Sequence, residues 1–311
     1  MDDYILGLEK RALQGDASAQ LELGALFSYG ARSEADRLHG MYWYGMAARQ
    51  GNAEGQNDLG NVYFYFGGDE PHSLPDREKA AYWYLQAAQQ GHVEAAYNLA
   101  YQYEHGEGVP LDFIKARQWY LRSAEQGYGP AQNNLGHMHE AGLGVAVDYG
   151  QAIYWYSKAA AQGDADGQCN LGIMYQFGYS GDQSYEKAAF WYEKAARQGQ
   201  CMAQANLGYL YEHGLGRIQD VAAAIYWYTK AAEAGDAPAM TLLGDVYRYG
   251  RQGTVDYERA LSWYMKAADM GYGPAQYNLG QMYECGQGVP VDTAMAAYWF
   301  ELSGKITGEV K

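Results

Sequence analysis

Three neighbouring side chains, His137, His139 and Glu140, form the tightest cluster of potential metal ligands in this 311-residue chain. A metal site needs ligands that converge on one point, but helical residues two positions apart point to different sides. His139 also stands at a position that Tyr103 and Tyr175 occupy in neighbouring segments. We therefore predict that His139 packs in the core and that the chain holds no metal ion.

A row of acidic residues recurs at a regular spacing and could suggest acid–base or metal chemistry. The row consists of Asp36, Asp76, Asp112, Asp148, Ser184, Asp220, Asp256 and Asp292. Each member has a short side chain whose oxygen can accept a hydrogen bond from an amide in the first turn of a helix. Because this explanation covers the serine as well as the aspartates, we predict that all eight residues are helix N-caps.

No catalytic motif is recognisable in the chain. It has no Ser-His-Asp order, phosphate loop or dinucleotide fingerprint in a strand–turn–helix context, because no strand pattern occurs. Its cysteines, Cys169, Cys201 and Cys285, fall at three different repeat positions, which provides no recurring disulfide pair and fits a reducing compartment. We predict a non-enzymatic protein without a cofactor; an enzyme is the alternative from a different class.

The formal net charge of −15 restricts the partners. A polyanion repels phosphate backbones, so nucleic-acid binding is not expected. The charge favours a basic protein partner, although the simpler interpretation is that acidity keeps a tyrosine-rich protein soluble. We see no signal peptide pattern, and no apolar run approaches the roughly 20 residues of a membrane span. We predict a cytoplasmic protein, or a periplasmic or secreted one if a leader was removed.

The elements that position these side chains follow a fixed period. Successive tryptophans are 36 residues apart, as from Trp119 to Trp155, and only the first gap, from Trp43 to Trp83, is 40. A leucine series runs in step, at Leu23, Leu59, Leu99, Leu135, Leu171, Leu207, Leu243 and Leu279. A period in this range predicts stacked structural repeats rather than one globular core.

One repeat, residues 129–164, shows two helical patterns. Ala131, Leu135 and Met138 share one face of a first helix, the A helix, which ends in a glycine-containing loop at 142–148. The second, the B helix, carries Trp155 and Tyr156 on its apolar stripe. Gly136 of the A helix provides a position without a side chain, where a neighbouring helix can come close. Each repeat is therefore predicted to be an antiparallel helix pair that stacks on the next.

These residues resemble the Sel1-like repeat family, which is related to tetratricopeptide repeats. The resemblance rests on Ala-x-Ala-Gln-x-Asn-Leu-Gly-x-Met-Tyr-Glu-x-Gly-x-Gly-Val followed by Asp-x-x-x-Ala-x-x-Trp-Tyr-x-Lys-Ala-Ala-x-Gln-Gly, in eight phased copies. It implies an all-α fold, a right-handed α-solenoid of about eight antiparallel helix-pair repeats, that serves as a protein-interaction scaffold, with bacterial members among its relatives. We predict an N-terminal capping helix at 1–16, eight repeats at 17–300 and a C-terminal tail at 301–311, with a short last B helix.

The resemblance also implies that one face of the A helices lines a concave groove. Reading the same helix positions along the chain predicts an acidic, tyrosine-rich partner-binding face. Its residues are Asn61, Phe64, Tyr97, Tyr101, Glu104, His105, Asn133, His137, Glu140, Phe177, Tyr209, Glu212, His213, Arg248, Tyr249, Tyr277 and Gln281, with Glu284 adding charge. Tyrosine suits interfaces because it combines a large contact area with a polar tip. The alternatives are that the glutamates pair locally, and that the loops or the other helix faces bind.

The sequence thus predicts a non-enzymatic scaffold or adaptor that holds a protein or peptide segment, and the net charge favours a basic one. We expect a monomer or a weak homo-oligomer. Two alternatives stay open, an immunity or inhibitor protein that neutralises a bacterial toxin or effector, and an envelope or secretion-system assembly component. The second repeat, whose four extra residues lie within Phe64–Pro75, is predicted to be individualised for binding or to carry a tolerated loop extension.

Overall fold

The protein is all-α. The computed structural model describes residues 2–29, 33–67, 74–179, 181 and 183–307, and over these residues the chain forms seventeen helices and no strand. The predicted fold class, an all-α solenoid of about eight helix-pair repeats, is confirmed. Among the described helices, none combines the length and the apolar character that a membrane crossing needs. The chain divides into two compact units, Met1–Ala159 and Ala160–Lys311.

The first unit begins with α1, which occupies the segment predicted to cap the array and buries Leu8 and Ala12. A and B helices then alternate, and successive helices pack against one another. The helices are α1 Asp2–Leu13, α2 Ala17–Tyr29, α3 Glu34–Arg49, α4 Ala53–Phe66, α5 Arg77–Gln89, α6 Val93–His105, α7 Phe113–Glu125, α8 Gly129–Ala141 and α9 Tyr149–Ala161, which extends past the unit boundary.

The second unit continues the alternation. Its helices are α10 Ala165–Phe177, α11 Tyr185–Arg197, α12 Cys201–His213, α13 Val221–Glu233, α14 Ala237–Arg248, α15 Tyr257–Asp269, α16 Gly273–Cys285 and α17 Thr293–Thr307. The prediction of a short last B helix is wrong, because α17 is 15 residues long and includes the first part of the predicted tail. Residues 301–307 contain no proline and one glycine, Gly304, so nothing in their backbone ends the helix. Residues 308–311 lie outside the described part.

The acidic row is a row of helix caps, as predicted, at seven of its eight positions. Asp112, for example, accepts a hydrogen bond from the Lys115 amide at 3.0 Å, and Ser184 accepts one from the Lys187 amide at 3.3 Å. The prediction is wrong for Asp36. Ser33 is the N-cap of α3, and Asp36 lies three residues later, where its carboxylate accepts from the Ser33 amide in a capping box.

A glycine in the A helix and a tyrosine in the B helix form the recurrent core contact of a repeat. A Cβ atom on Gly136 would lie 2.7 Å from the Tyr156 ring. Tyr156 itself is fully buried. The close approach predicted at Gly136 is therefore made by the aromatic ring of Tyr156, which packs directly on the glycine. The same contact with a tyrosine, at 2.4 to 2.7 Å, recurs for Gly24, Gly60, Gly172, Gly208 and Gly244, and Gly280 makes it with Phe300 at 2.5 Å.

Buried glutamines link six of the eight A helices to the helix before them. Gln132 Nε2 donates to the carbonyl oxygen of Ala124 at 3.0 Å, near the end of α7. The same bond joins Gln20 to Ala12, Gln56 to Ala48, Gln168 to Ala160, Gln204 to Ala196 and Gln276 to Ala268. Three of these glutamines also accept from the glutamine that follows the next B helix, in the pairs Gln20–Gln50, Gln56–Gln90 and Gln168–Gln198. We call this arrangement the glutamine joint.

Candidate functional site

Three of the four glutamates predicted to make the A-helix face acidic, Glu104, Glu140 and Glu212, are bonded to tyrosine hydroxyls of the protein itself. In the first unit the Tyr120 hydroxyl donates to Glu104 and the Tyr156 hydroxyl donates to Glu140, each at 2.6 Å. Burial raises the pKa of both tyrosines well above the usual range, and the bonded carboxylates raise it further. The tyrosines therefore stay neutral donors. These contacts favour the alternative in which the glutamates pair locally.

The second repeat departs from this pattern. Tyr84 donates instead to Asn61, one helical turn earlier, at 2.8 Å. The position that holds a glutamate in the next two repeats holds Phe64, whose ring lies 6.3 Å from Tyr101 in an edge-to-face arrangement. Because the acceptor has moved, an aromatic ring takes the place of a carboxylate on this part of the A-helix face.

A first cavity of about 250 Å³ lies at these aromatic residues. It is lined by Phe64, Tyr65, Tyr84, Tyr97, Asn98 and Tyr101. Tyr97 packs against Tyr128 at 5.3 Å between ring centroids, and Tyr101 stacks on His105 at 4.0 Å. The predicted residues Phe64, Tyr97 and Tyr101 therefore do come together around one opening.

A second cavity, of about 330 Å³, adjoins the first, because Tyr65 and Asn98 line both. Its lining residues are Ser28, Tyr44, Asp58, Asn61, Val62, Tyr65, Phe66, Glu94, Asn98 and Tyr128. We call this opening the Asp58 cavity. Four of its lining side chains are aromatic and two are carboxylates. Among the described lining residues there is no lysine, arginine or histidine.

An amide network positions one side of the Asp58 cavity. Asn98 Nδ2 lies 3.2 Å from Asn57 Oδ1 and 3.3 Å from Asn61 Oδ1, and Asn61 also accepts from Tyr84. Each amide oxygen thereby has a donor inside the protein. The network fixes α4 against α6, so the cavity is formed by side chains whose positions are set by hydrogen bonds.

Asp58 is half-buried and carries an unusual charge environment. Burial, followed by the nearby Glu54, raises the pKa of its carboxyl to about 6, and His92 opposes this shift. His92 is itself fixed, since the Ala95 amide donates to its Nδ1 at 3.2 Å and its Nε2 lies 2.9 Å from Glu54 Oε2. An Nδ1 that accepts leaves the proton on Nε2, which donates to Glu54.

The corresponding face of the second unit is closed by arginines. Glu212 is 3% exposed, accepts from the Tyr228 hydroxyl at 2.8 Å and pairs with Arg251. Arg248 is 6% exposed and donates to Gln281 and Gln287, each at 2.9 Å. The prediction that Glu212 and Arg248 present their side chains to a partner is therefore wrong, because each is buried among partners in its own unit.

The remaining predicted residues divide by exposure. The exposed ones are His105, His137, Phe177, Tyr209, His213, Tyr249, Tyr277 and Glu284, and the half-buried ones are Asn61, Phe64, Tyr97, Tyr101, Glu104, Asn133, Glu140 and Gln281. Tyr209 and His213 repeat the tilted ring contact of Tyr101 and His105, at 4.2 Å. His139 is buried, as predicted. Among the residues that the structure describes, no three histidine, cysteine or acidic side chains converge in a way that could hold a metal ion.

Sequence reasoning missed several cavity residues, namely Asp58, Tyr65, Phe66, Glu94, Asn98 and Tyr128. One signal was present for Asp58. Its position, just before the repeated leucine, holds an asparagine in five other repeats: Asn98, Asn134, Asn170, Asn206 and Asn278. Tyr65 and Phe66 lie where α4 ends, before the loop that contains the four extra residues; positions 68–73 of that loop are outside the described residues.

The comparisons with known proteins agree on one family. The Sel1 repeat profile matches eight consecutive stretches: 17–52, 53–92, 93–128, 129–164, 165–200, 201–236, 237–272 and 273–305. Among proteins with curated descriptions, none matches this chain. Proteins built from Sel1 repeats typically mediate protein–protein interactions and are generally non-catalytic.

Solved structures show the same fold over nearly the whole chain. The structure of a protective antigen present in uropathogenic Escherichia coli strains, which displays an SLR fold, is 36% identical, with a TM-score of 0.80; the match covers 96% of this chain and 63% of that one. This chain thus spans about 63% of that antigen's length. A Sel1 repeat protein from Oxalobacter formigenes is 32% identical, with a TM-score of 0.71, and the match covers 99% of this chain and 88% of that one.

Proposed function

The chain belongs to the Sel1 repeat family, and from that premise we propose that it is a non-enzymatic scaffold that holds a segment of a partner protein. The observation that carries this proposal is the pair of adjoining aromatic cavities on α4 and α6 of the first unit. The predicted partner-binding face, whose residues run from the second repeat to the eighth, is narrowed in this proposal to one part of the first unit.

Exposed aromatic side chains at these cavities support a protein partner. Tyr65 is 66% exposed and Phe66 is 55% exposed, and both line the Asp58 cavity. Large aromatic rings with this exposure are costly to leave in water, and they are enriched in the buried centres of protein interfaces. The carboxylates Asp58 and Glu94 favour a basic segment over an acidic one.

The chemistry of the candidate nucleophiles supports a binding role. The tyrosine hydroxyls of the repeats have raised pKa values because they are buried, so they do not ionise near neutral pH. Burial also raises the pKa of the Cys169 thiol to about 12, which disfavours the reactive thiolate. We therefore propose that recognition, without turnover, is the function of the chain.

The experiment is site-specific photo-crosslinking in cells, with benzoylphenylalanine at residue 65. We expect one partner to be captured, and the double variant Tyr65→Ser/Phe66→Ser to bind that partner at least tenfold more weakly, as the loss of a central aromatic pair implies. The matched control is Tyr82→Ser/Tyr154→Ser, which removes two similarly exposed rings from B helices. Equal loss in both double variants would place the binding surface elsewhere.

The other predictions about partners stay predictions. The immunity or inhibitor alternative, the envelope or secretion-system alternative, the monomeric or weakly oligomeric state and the cytoplasmic location have no observation in the described residues that favours them. An immunity protein from Pseudomonas aeruginosa shares 21% identity with this chain at a TM-score of 0.47, with 70% of this chain and 83% of that one covered; this likeness carries no argument for function.

A further inference from the structure

We propose that the Asp58 cavity is an anchor pocket for one basic side chain, arginine or lysine, of the partner segment. This inference rests on the proposed function and adds to it the chemistry that selects the partner. It is carried by three features of the cavity: a carboxylate that breaks the repeat pattern, aromatic walls, and the lack of a cation among the described lining residues.

The first feature is the residue type at position 58. In other repeats the asparagine at this position forms a hydrogen bond to the preceding repeat. Asn134 Nδ2 donates to the Tyr120 hydroxyl at 3.0 Å, and Asn278 Nδ2 lies 3.4 Å from Asp245. A carboxylate has almost the same shape but cannot donate when it is ionised. Asp58 therefore replaces a structural donor by a negative charge in a cavity that is also lined by Asn98, the residue at this position in the next repeat.

The second feature is the wall around that charge. Tyr44, Tyr65, Phe66 and Tyr128 provide ring surfaces, and Glu94 adds a second carboxylate. Aromatic faces and carboxylates together are the surroundings that bind ammonium and guanidinium groups, because the ring quadrupole and the negative charge both attract a cation. The volume of about 330 Å³ accommodates a single long side chain.

The third feature is the predominantly negative surroundings of Asp58 among the residues that the structure describes. The groups that face Asp58 are Glu54 from α4, Glu94 from α6, His92 at the start of α6 and Tyr84 from α5. His92 is engaged with Glu54, which leaves Asp58 beside two further carboxylates. A basic side chain in the cavity would supply the missing opposite charge, whereas a neutral apolar one would bury the carboxylate further without a partner.

Proton linkage gives the pocket a signature that a merely apolar pocket does not have. A bound cation favours the ionised form of Asp58, so binding near pH 6 should release a proton. A group that must lose a proton at about pH 6 makes binding about tenfold weaker at about pH 5 than at about pH 7.5. His92 is the nearby side chain that opposes the raised pKa of Asp58. His92→Asn keeps an N-cap like Asn52 and removes that opposition, so the pH dependence of binding should persist in this variant.

The test uses the full chain and two peptides, acetyl-Gly-Arg-Gly-amide and the same peptide with neutral citrulline, titrated by ligand-detected NMR. We expect the arginine peptide to bind at least tenfold more tightly than the citrulline peptide. Asp58→Asn, which restores the residue of five other repeats, should abolish that difference without loss of the fold. Glu258→Gln, at a separate cavity on α15 of the second unit, removes the same charge and should have no effect.

Two results would contradict the proposal of an anchor pocket: equal binding of the two peptides by the wild type, or an unchanged preference for arginine in Asp58→Asn. Neither result changes what crosslinking at residue 65 detects, so a scaffold that holds an uncharged segment would still be recognised by that experiment. Conversely, arginine binding that depends on Asp58 together with no partner captured at residue 65 would separate the pocket from the proposed scaffold role.

Discussion

The A-helix faces of the two units treat their charged side chains in opposite ways. In the first unit, Asp58 and Glu94 line a cavity whose described residues include no cation. In the second unit, the buried Glu212 is paired with Arg251, while Arg248 is held by Gln281 and Gln287. The described lining of the first-unit cavity holds no counterion for its carboxylates, whereas the second unit pairs its buried charge internally. A few substitutions on a shared scaffold thus decide how the charge of each face is compensated.

The largest loss of stability that this comparison predicts follows from replacing Arg251. Arg251→Met leaves Glu212, which is 3% exposed, without its counterion. Removal of one partner of a buried pair strands the other charge, so we expect a loss of about 2–4 kcal/mol in the free energy of unfolding. Denaturant unfolding of the full chain measures this loss, and the matched variant in the first unit, Asp58→Asn, should show no such loss.

A double variant checks the cause of the Arg251 effect. Gln176 occupies the position of Glu212 in the preceding repeat and accepts from Tyr192 at 2.7 Å, so the scaffold tolerates glutamine there. Adding Glu212→Gln to Arg251→Met should therefore restore most of the lost stability. If the double variant is as unstable as Arg251→Met alone, stranded charge is not the reason for the loss.

Asp58→Asn should raise the free energy of unfolding, whereas Arg251→Met should lower it. The folded-state pKa of Asp58 is raised from 3.8 to about 6, so ionisation opposes folding once the pH is above these values. We expect the variant to be more stable than the wild type by about 1–3 kcal/mol at about pH 7.5. The difference should shrink as the pH falls below about 6 and vanish below about 4, where the carboxyl is protonated in both states. Thermal melts across this pH range measure it, and a gain that is constant with pH would contradict the assignment.

The smallest change in stability is expected at the last repeat, where the B helix lacks the tyrosine hydroxyl that the other repeats have. Phe300 occupies the place of the tyrosine and covers Gly280, while Glu284 is exposed where Glu140 accepts from Tyr156. Phe300→Tyr should add this bond and about 0.5–1 kcal/mol of stability, and Tyr156→Phe should remove a similar amount. Calorimetric melting of both variants compares the two units at the same contact; a loss on Phe300→Tyr would show that the hydroxyl cannot reach Glu284.

The fold was predictable because its signals repeat. Gly136, Trp155 and the row of N-caps each recur with the period, so chance matches are excluded by their phase. Asp36 shows the limit of this reasoning. The repeat spacing predicted a cap there, but Ser33 lies three residues earlier and forms a capping box with Asp36. Local hydrogen bonding decided the helix start where the loop differs from the other repeats.

The candidate site was predictable only in part. The helical period placed Phe64, Tyr97 and Tyr101 on one face, and the structure gathers them at one cavity. Burial at a single position depends on neighbouring side chains, so the period could not separate the buried Glu212 from the half-buried Glu140. Asp58 escaped notice because it is nearly isosteric with asparagine, and only its contacts give it a role.

The glutamine joint has a consequence for rebuilding this protein by recombination. The joined residues are 30 positions apart in Gln20–Gln50 and Gln168–Gln198 but 34 apart in Gln56–Gln90, and the bond survives at 2.8 Å. The four extra residues of the second repeat are therefore absorbed between the two helices of that pair, outside the joint. Cassettes exchanged at the joints should keep the stacking in register, while the connection between an A helix and its B helix accepts new sequence. On the proposed function, an exchanged cassette that carries α4 to α6 should carry the partner specificity with it.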